Sequence, residues 1–508
     1  MSEEAGETGR FGTIVPDMVA GVSVALVLIP QSMAYADLAG MPPVHGLYAA
    51  ATAPVLAAPF VSSRYLQTGP VALTCLLTFG ALATVAVPYS PEYVGLAAIL
   101  ALIVGVVRLL IGVLKLGALA WLMSQPVLRG FTLAAALLIA GSQLPAALGA
   151  TATGDHVLAR ATSVLASPGD WTLGSLVLTL LTITLMRTGK RIHPLFPGVL
   201  VATVIGLTAS VVGLPVGPEI GEIPGRLPPI TLDLPWTSLL SLLVPGLVIA
   251  VVGFAEPAAI ARTLASEDGE GWDPDREFVS QGVANLAAGV FSGFPMGGSF
   301  SRSALSKVAG ARSWKAGAVS GAVVLAVLPF AGTLAVLPKA ILGATVLGAV
   351  IKLLDPRALV VMWGHSKPQA ALGWVTFFAT LLSAPHVEYG VIVGVSVALS
   401  VHLWREMSME VPHEFEEGTL TLRPAGVLWF GSAAALEHQW LEALSEHPES
   451  ARLVLDLGGL GRIDYSGAEV LAGLVAEARL ADLSVTLVGV PPQSERILTR
   501  FESLIGGE

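Results

Sequence analysis

Two stretches of this chain place small and polar residues where the apolar context calls for plain helix: Gln67-Thr68-Gly69-Pro70-Val71-Ala72-Leu73 and Pro295-Met296-Gly297-Gly298-Ser299-Phe300-Ser301-Arg302-Ser303-Ala304. Each reads as an extended stretch followed by the start of a helix. Pro70 suits a first helical turn, and Ser299 or Ser301 could cap the second helix. A helix start leaves backbone N–H groups unpaired and carries the positive end of the helix dipole, so two such starts inside a membrane offer an anion site. Gly and Pro also occur in membrane helices as simple kinks. The placement of these segments in the third and tenth apolar spans, seven apart, instead fits an inverted repeat with a shared substrate site.

Charged residues stand close to these segments. Arg302 falls inside a span, where an Arg costs at least about 2.5–3.5 kcal/mol on insertion scales and is kept when it is paired or functional. Its structural reading is an ion pair with Glu256; its functional one is anion binding. Glu256, within Val251-Val252-Gly253-Phe254-Ala255-Glu256-Pro257, sits near the middle of the eighth span and could take up and release a proton. Asp37 ends the first span and reads as an interfacial residue or a second proton site. Gln31 and Tyr35 could line the pocket, although Gln31 follows Pro30 and could equally repair a kinked backbone. His193, His365 and His386 lie at span ends, where solvated histidines are the common case. No His/Cys metal-ligand spacing, phosphate-binding loop or nucleophile elbow is present, so neither a metal nor a cofactor is expected and no catalytic machinery is visible.

The elements that must position these residues follow from composition. Of 508 residues, 54% are hydrophobic and 13% charged, with a mean hydropathy of +0.75. Ordinary soluble domains carry about 25% charge, which excludes a soluble globular enzyme. The balance of 27 basic against 37 acidic residues argues against a nucleic-acid partner. The single cysteine, Cys75, excludes an intrachain disulfide. Apolar runs long enough to cross a bilayer predict spans over 14–36, 43–61, 69–87, 93–113, 119–148, 171–187, 197–213, 242–264, 278–295, 300–311, 314–337, 340–354, 369–385 and 386–405. The fifth is long enough to tilt or break near Gln125-Pro126. With an inside N-terminus, this order puts sixteen basic residues on the cytoplasmic side, among them Arg10, Arg64, Arg108, Lys190, Lys307 and Lys315. Only Arg160, Arg226 and Lys339 fall outside. Residues 1–13 are polar and read as a retained cytoplasmic segment, 14–405 as the transmembrane domain and 406–508 as a cytoplasmic domain. In that last part, strands are expected at 419–423, 427–430, 453–457 and 484–489, alternating with helices at 433–445, 468–478 and from Ser494 onward, a small α/β fold.

Taken together, Pro30-Gln31-Ser32-Met33-Ala34-Tyr35-Ala36 with Gly46-Leu47-Tyr48, Thr68-Gly69-Pro70-Val71-Ala72, Gly297 to Ala304 and Ile463-Asp464-Tyr465-Ser466-Gly467 resemble the SulP anion transporters, a family of sulfate, bicarbonate and dicarboxylate carriers. The resemblance covers nearly the whole chain. It implies a polytopic α-helical fold similar to the uracil transporters: fourteen transmembrane segments in two inverted repeats of seven, with a core and a gate domain and usually a homodimer. It also implies a substrate pocket of Gln31, Tyr35, Thr68, Gly69, Ser299, Phe300, Ser301 and Arg302, faced by Glu256. Sodium-coupled bicarbonate members resemble this region but carry an Asp with a Thr one turn later in the eighth span. Glu256 and the apolar Ile260 stand here instead, which favours proton coupling. The C-terminal part is similar to STAS domains. The serine phosphorylated in antagonist STAS proteins is replaced by Tyr465, which speaks against serine phosphoregulation.

The expected function is secondary transport of a small anion across a bacterial inner membrane. The expected mode is proton-coupled import of a C4-dicarboxylate or an oxyanion by alternating access, with both termini cytoplasmic. Sodium-coupled bicarbonate or sulfate transport, anion exchange and an anion channel stay open as alternatives. A nucleobase carrier fits less well, because such carriers hold a heterocycle with paired carboxylates, and a membrane enzyme is the remotest reading.

Overall fold

The computed structural model describes residues 4–121, 124–154 and 156–501. Residues 1–3 and the side chains of Arg10 and Lys190 lie outside the described residues. The first half of the membrane part runs α1 (Glu4–Leu38), α2 (Pro43–Ala57), β1 (Thr68–Gly69), α3 (Ala72–Leu82), α4 (Pro91–Val113), α5 (Gln125–Leu148), α6 (Val157–Ala166), α7 (Leu173–Ile192) and α8 (Gly198–Val211). The second half repeats the order with α9 (Leu239–Glu267), α10 (Pro274–Val290), β2 (Gly297–Gly298), α11 (Phe300–Val308), α12 (Lys315–Val327), α13 (Lys339–Val350), α14 (Arg357–His365), α15 (Lys367–Ser383) and α16 (Val387–Met407). A helix stands at each of the fourteen expected spans, forming two repeats of seven. Each repeat adds one short helix, α6 or α14, of 10 and 9 residues, too short to read as a span in the sequence.

Six stretches among the described residues are long and apolar enough to cross a membrane by length and composition: Ile14–Leu38, Pro91–Val113, Gln125–Leu148, Trp236–Glu267, Lys315–Leu334 and Val387–Met407. At 1.5 Å per residue, α3 and α11 are only about 16 and about 14 Å long, roughly half of the ~30 Å hydrocarbon core, so each ends part-way through it. The break expected near Gln125-Pro126 is present. A short 3-10 turn over Gly117–Trp121 precedes α5, which opens at Gln125 with proline in its first turn.

Packing divides the helices into two groups. α1 to α4 interlock with α9 to α12, while α5, α7 and α8 pack with α13 to α15, the core and gate arrangement. Small residues set the approach distances. A Cβ on Gly46 of α2 would lie 2.0 Å from the Ser32 carbonyl oxygen of α1, so this crossing needs glycine.

Arg108 corrects the charge count. It does not sit in a cytoplasmic loop but in α4, fully buried. Its guanidinium donates to the carbonyl oxygens of Ala250 (3.0 Å), Ile249 (3.2 Å) and Met296 (2.8 Å). Carbonyl oxygens of α9 and of the segment before β2 thus supply the partners that water would give in a loop.

The chain divides into compact units Met1–Val395 and Ser396–Glu508. In the second unit, β3 (His413–Glu416), β4 (Thr419–Leu422), β6 (Arg452–Asp456) and β8 (Ser484–Val488) form a sheet in the order β3-β4-β6-β8. Only the β3/β4 pair is antiparallel. β5 (Gly426–Leu428) and β7 (Leu460–Ile463) pair in parallel. Helices α17 (Ala433–Glu446), α18 (Tyr465–Leu480) and α19 (Glu495–Leu498) follow β5, β7 and β8. The expected elements are present; β3 and β7 are additional, short strands whose charged residues mask their periodicity. Leu420, Leu453, Leu455, Trp440, Leu471 and Val475 form the core. Asp464 caps α18 by accepting from the Gly467 N–H at 2.8 Å, and Tyr465 begins the helix with an exposed ring.

Candidate anion site

The two interrupted segments meet. β1 and β2 pair antiparallel, Thr68 opposite Gly298 and Gly69 opposite Gly297, and the Ser299 N–H donates to the Gln67 carbonyl at 3.0 Å. Because each strand runs almost directly into its helix, antiparallel pairing points α3 and α11 in opposite directions with their N-termini together. Neither start is capped by a side chain: Val71 occupies the N-cap of α3 and Ser299 that of α11. Pro70 therefore lies one residue ahead of the N-cap rather than in the first turn. Neither Ser299 nor Ser301 caps α11; their hydroxyl oxygens lie 3.4 Å from each other. The uncapped ends leave N–H groups and both positive dipole ends at one place, the arrangement that binds anions.

Arg302 lies in the first turn of α11 and is fully buried. Nη2 donates to the Pro70 carbonyl oxygen at 3.0 Å and Nη1 to Gln31 Oε1 at 3.3 Å, while Nε has no partner. Its charge acts on Tyr35 and Glu256, yet among the described residues it forms no ion pair with Glu256. The ion-pair reading of Arg302 finds no such contact, and among the described residues the cation has no bonded carboxylate. Gly69 permits the approach of Arg302: a Cβ there would sit 3.2 Å from Nη2.

Gln31 is buried and reaches Arg302 instead of repairing the backbone beside Pro30, and Tyr35 is buried one turn further along α1. Phe300 and Ser301 are exposed and Ser299 is buried, so the first turn of α11 has one accessible side. Glu256 is half-buried on α9 and makes no hydrogen bond or ion pair among the described residues. Ile260, one turn on, is buried with Ala20, Val61, Tyr65 and Leu66, and its own side chain offers no oxygen to a cation. Thr68 is turned elsewhere: its Oγ1 accepts from Gln281 Nε2 at 2.7 Å. Asp37 is also apart. It accepts from the Tyr89 hydroxyl at 3.0 Å and lies six residues, about 9 Å of helix rise, beyond Gln31.

Several supporting residues escape a reading by motif. The Gln67 backbone N–H donates to Ser303 Oγ (2.9 Å), and its side-chain amide nitrogen donates to Ser306 Oγ (3.1 Å). Asn285 of α10 holds Met296 through both its backbone N–H and its carbonyl. Glu277 accepts the Ser62 and Ser63 N–H groups at 3.2 Å each. Glu277, Gln281 and Asn285 are four residues apart, a polar stripe on one helix face, and that spacing is the signal that marks them in an apolar span.

The chain is similar to known proteins over most of its length. The Sulfate permease family profile matches residues 14–377 and the STAS domain profile residues 410–504. "Sulfate transporter 4.1, chloroplastic" of Arabidopsis thaliana is 34% identical over 512 residues, covering 93% of this chain and 74% of that protein. The "Sodium-independent sulfate anion transporter" of Bos taurus is 28% identical over 527 residues, covering 95% and 85%. Among solved structures, murine solute carrier 26 family member A9, an anion transporter, is similar with a TM-score of 0.87 at 21% identity, covering 97% of this chain and 88% of that one. A family match over most of the chain, together with the paired half-helices, makes this protein a member of the sulfate permease (SulP) family of multi-pass membrane anion transporters, carrying a C-terminal STAS domain.

Proposed function

We propose that the protein imports a small oxyanion, sulfate foremost, together with a proton by alternating access, with the anion held at the facing N-termini of α3 and α11. One observation carries the reading: two uncapped helix starts joined by β1 and β2 above a buried Arg302 that has no bonded carboxylate. In this arrangement Arg302 supplies charge and stiffness, and the first turn of α11, with Phe300 and Ser301, supplies the accessible contacts. Glu256, on α9 within the electrostatic reach of Arg302 and without a hydrogen bond or ion pair among the described residues, is the group proposed to carry the coupling proton. Asp37, bonded to Tyr89 away from this cluster, is not needed for it.

The apolar surroundings of Ile260 support a proton over sodium, in keeping with the name of the sodium-independent bovine relative. That argument bears on coupling and not on the anion. The names of the relatives move the preferred substrate from a C4-dicarboxylate to sulfate. Arg64 and Lys307, both expected on the cytoplasmic side, converge on Asp268 at the end of α9, which supports a cytoplasmic N-terminus and, with fourteen spans, a cytoplasmic STAS domain. A bacterial inner membrane and a homodimer complete the reading.

The test is uptake of labelled sulfate, bicarbonate and fumarate into proteoliposomes under an imposed proton gradient, a sodium gradient or neither. Sulfate accumulation that needs inward protons supports the proposal. Sodium dependence removes Glu256 from its role, and conductance without counterflow means a channel.

A further inference from the structure

We propose that His413, Glu446 and His447 of the STAS domain form a binding site for a divalent transition-metal ion of the zinc class. Each of the three offers one ligand atom, and these atoms all lie within 4.8 Å of one another. His413 Nε2 and Glu446 Oε2 are 3.1 Å apart. In a tetrahedral zinc site with bonds of about 2.0–2.1 Å, neighbouring ligand atoms stand about 3.4 Å apart. The pair is close to that spacing, and the exposed His413 and Glu446 side chains can rotate to meet the third ligand, His447.

The fold brings together residues that sequence spacing separates. His413 opens the edge strand β3, and Glu446 and His447 end α17. His413 and Phe415 project from the same face of β3, since strand side chains alternate. The His447 ring stacks on Phe415 with centroids 4.5 Å apart and planes at 10°, and meets His413 edge-on at 5.9 Å. That stack fixes the plane of the His447 imidazole. Glu449 Oε1 lies 3.5 Å from His447 Nδ1, which adds a second carboxylate beside the cluster.

Local charge also favours a cation. His447 is the C-cap of α17, so the site lies at the negative end of a helix dipole and beside the carboxylates of Glu446 and Glu449. Arg423, on the segment after β4, is engaged with Glu414 at 2.9 Å. Two imidazoles and one carboxylate select a borderline metal such as zinc over calcium or magnesium, which take oxygen ligands. Three protein ligands leave a fourth position for water. A bound ion would tie the first strand of the domain to the end of α17.

The experiment is calorimetric titration of tag-free, EDTA-stripped full-length protein in detergent with zinc chloride, and separately with calcium and magnesium chloride. One zinc per chain is expected at this site, with affinity lowered at least ~10-fold by His413→Ala, by His447→Ala and by Glu446→Gln. His438→Ala, at an exposed histidine 3.8 Å from Glu442 on the same helix, should leave it unchanged. Cobalt should give tetrahedral d–d absorption that the His413→Ala protein lacks. Melting temperatures of the stripped variants equal to that of stripped wild type show that the fold is retained. Equal zinc affinity in wild type and His413→Ala, or calcium bound as tightly as zinc, overturns the proposal.

Discussion

Arg302 on α11 donates from Nη2 to the carbonyl oxygen of Pro70, 3.0 Å away, in the turn that leads into α3. A side chain from the second repeat thereby completes the backbone of the first, directly beside the β1/β2 pair. The bond ties the two helix starts together, and the charge that makes it is the one proposed to serve the anion.

Replacing Arg302 separates these roles. Arg302→Ala should weaken apparent anion affinity by about 10–100-fold, the equivalent of a charged hydrogen bond worth ~1.5–3 kcal/mol. Arg302→Lys should retain part of the affinity, since it keeps charge but cannot reach Pro70 and Gln31 together. Uptake kinetics on protein that elutes as a single species in detergent measure this. If both variants aggregate instead, the residue is structural.

Glu256 makes no hydrogen bond or ion pair among the described residues, so Glu256→Gln should leave the fold and anion exchange intact while abolishing accumulation driven by a proton gradient. Counterflow and gradient-driven uptake, measured on the same proteoliposomes, distinguish the two. Unchanged accumulation would place the coupling proton elsewhere.

Gly69→Ala puts a methyl group 3.2 Å from Arg302 Nη2, tighter than ordinary contact. The guanidinium must shift, and the backbone at Gly69 is one that a residue with a side chain rarely adopts, so anion affinity and melting temperature should both fall while membrane insertion is retained. Binding isotherms and thermal melts of one preparation check this.

Arg108 stabilises the core side of the site without touching it. Arg108→Ala should lower stability by at least about 1.5–3 kcal/mol, the loss of hydrogen bonds from a buried charged donor to the carbonyl oxygens of Ile249, Ala250 and Met296. Thermal melting reads the loss, and Arg108→Lys should recover part of it.

Acid should loosen the end of α9. The Lys307 ammonium, then the Tyr65 hydroxyl, hold the Asp268 carboxyl below its ordinary value of 3.8 by hydrogen bonding its charged form. The folded state therefore binds this proton less readily than the unfolded state. The stabilisation is present above about pH 4 and disappears as pH falls through the folded value. The difference in melting temperature between wild type and Asp268→Asn should be constant near neutrality and shrink below about pH 4.

What the sequence by itself determined follows from local physics. Apolar runs separated by charged or Pro/Gly breaks mark the fourteen spans, because backbone in lipid must satisfy its hydrogen bonds within a helix. Gly, Pro and Ser clusters at 67–73 and 295–304 mark where the helices break, because those residues free or cap the backbone. Glu256 and Arg302 stand out because charge is costly in an apolar run. Which of these residues meet was decided only by tertiary structure. Gln31 reaches Arg302, Thr68 turns to Gln281, and Asp37 goes to Tyr89, since partner choice depends on helix rotation and crossing that no local pattern encodes. Arg108 moved from loop to core for the same reason: its partners are carbonyl oxygens more than a hundred residues away, and a backbone acceptor leaves no trace in residue type.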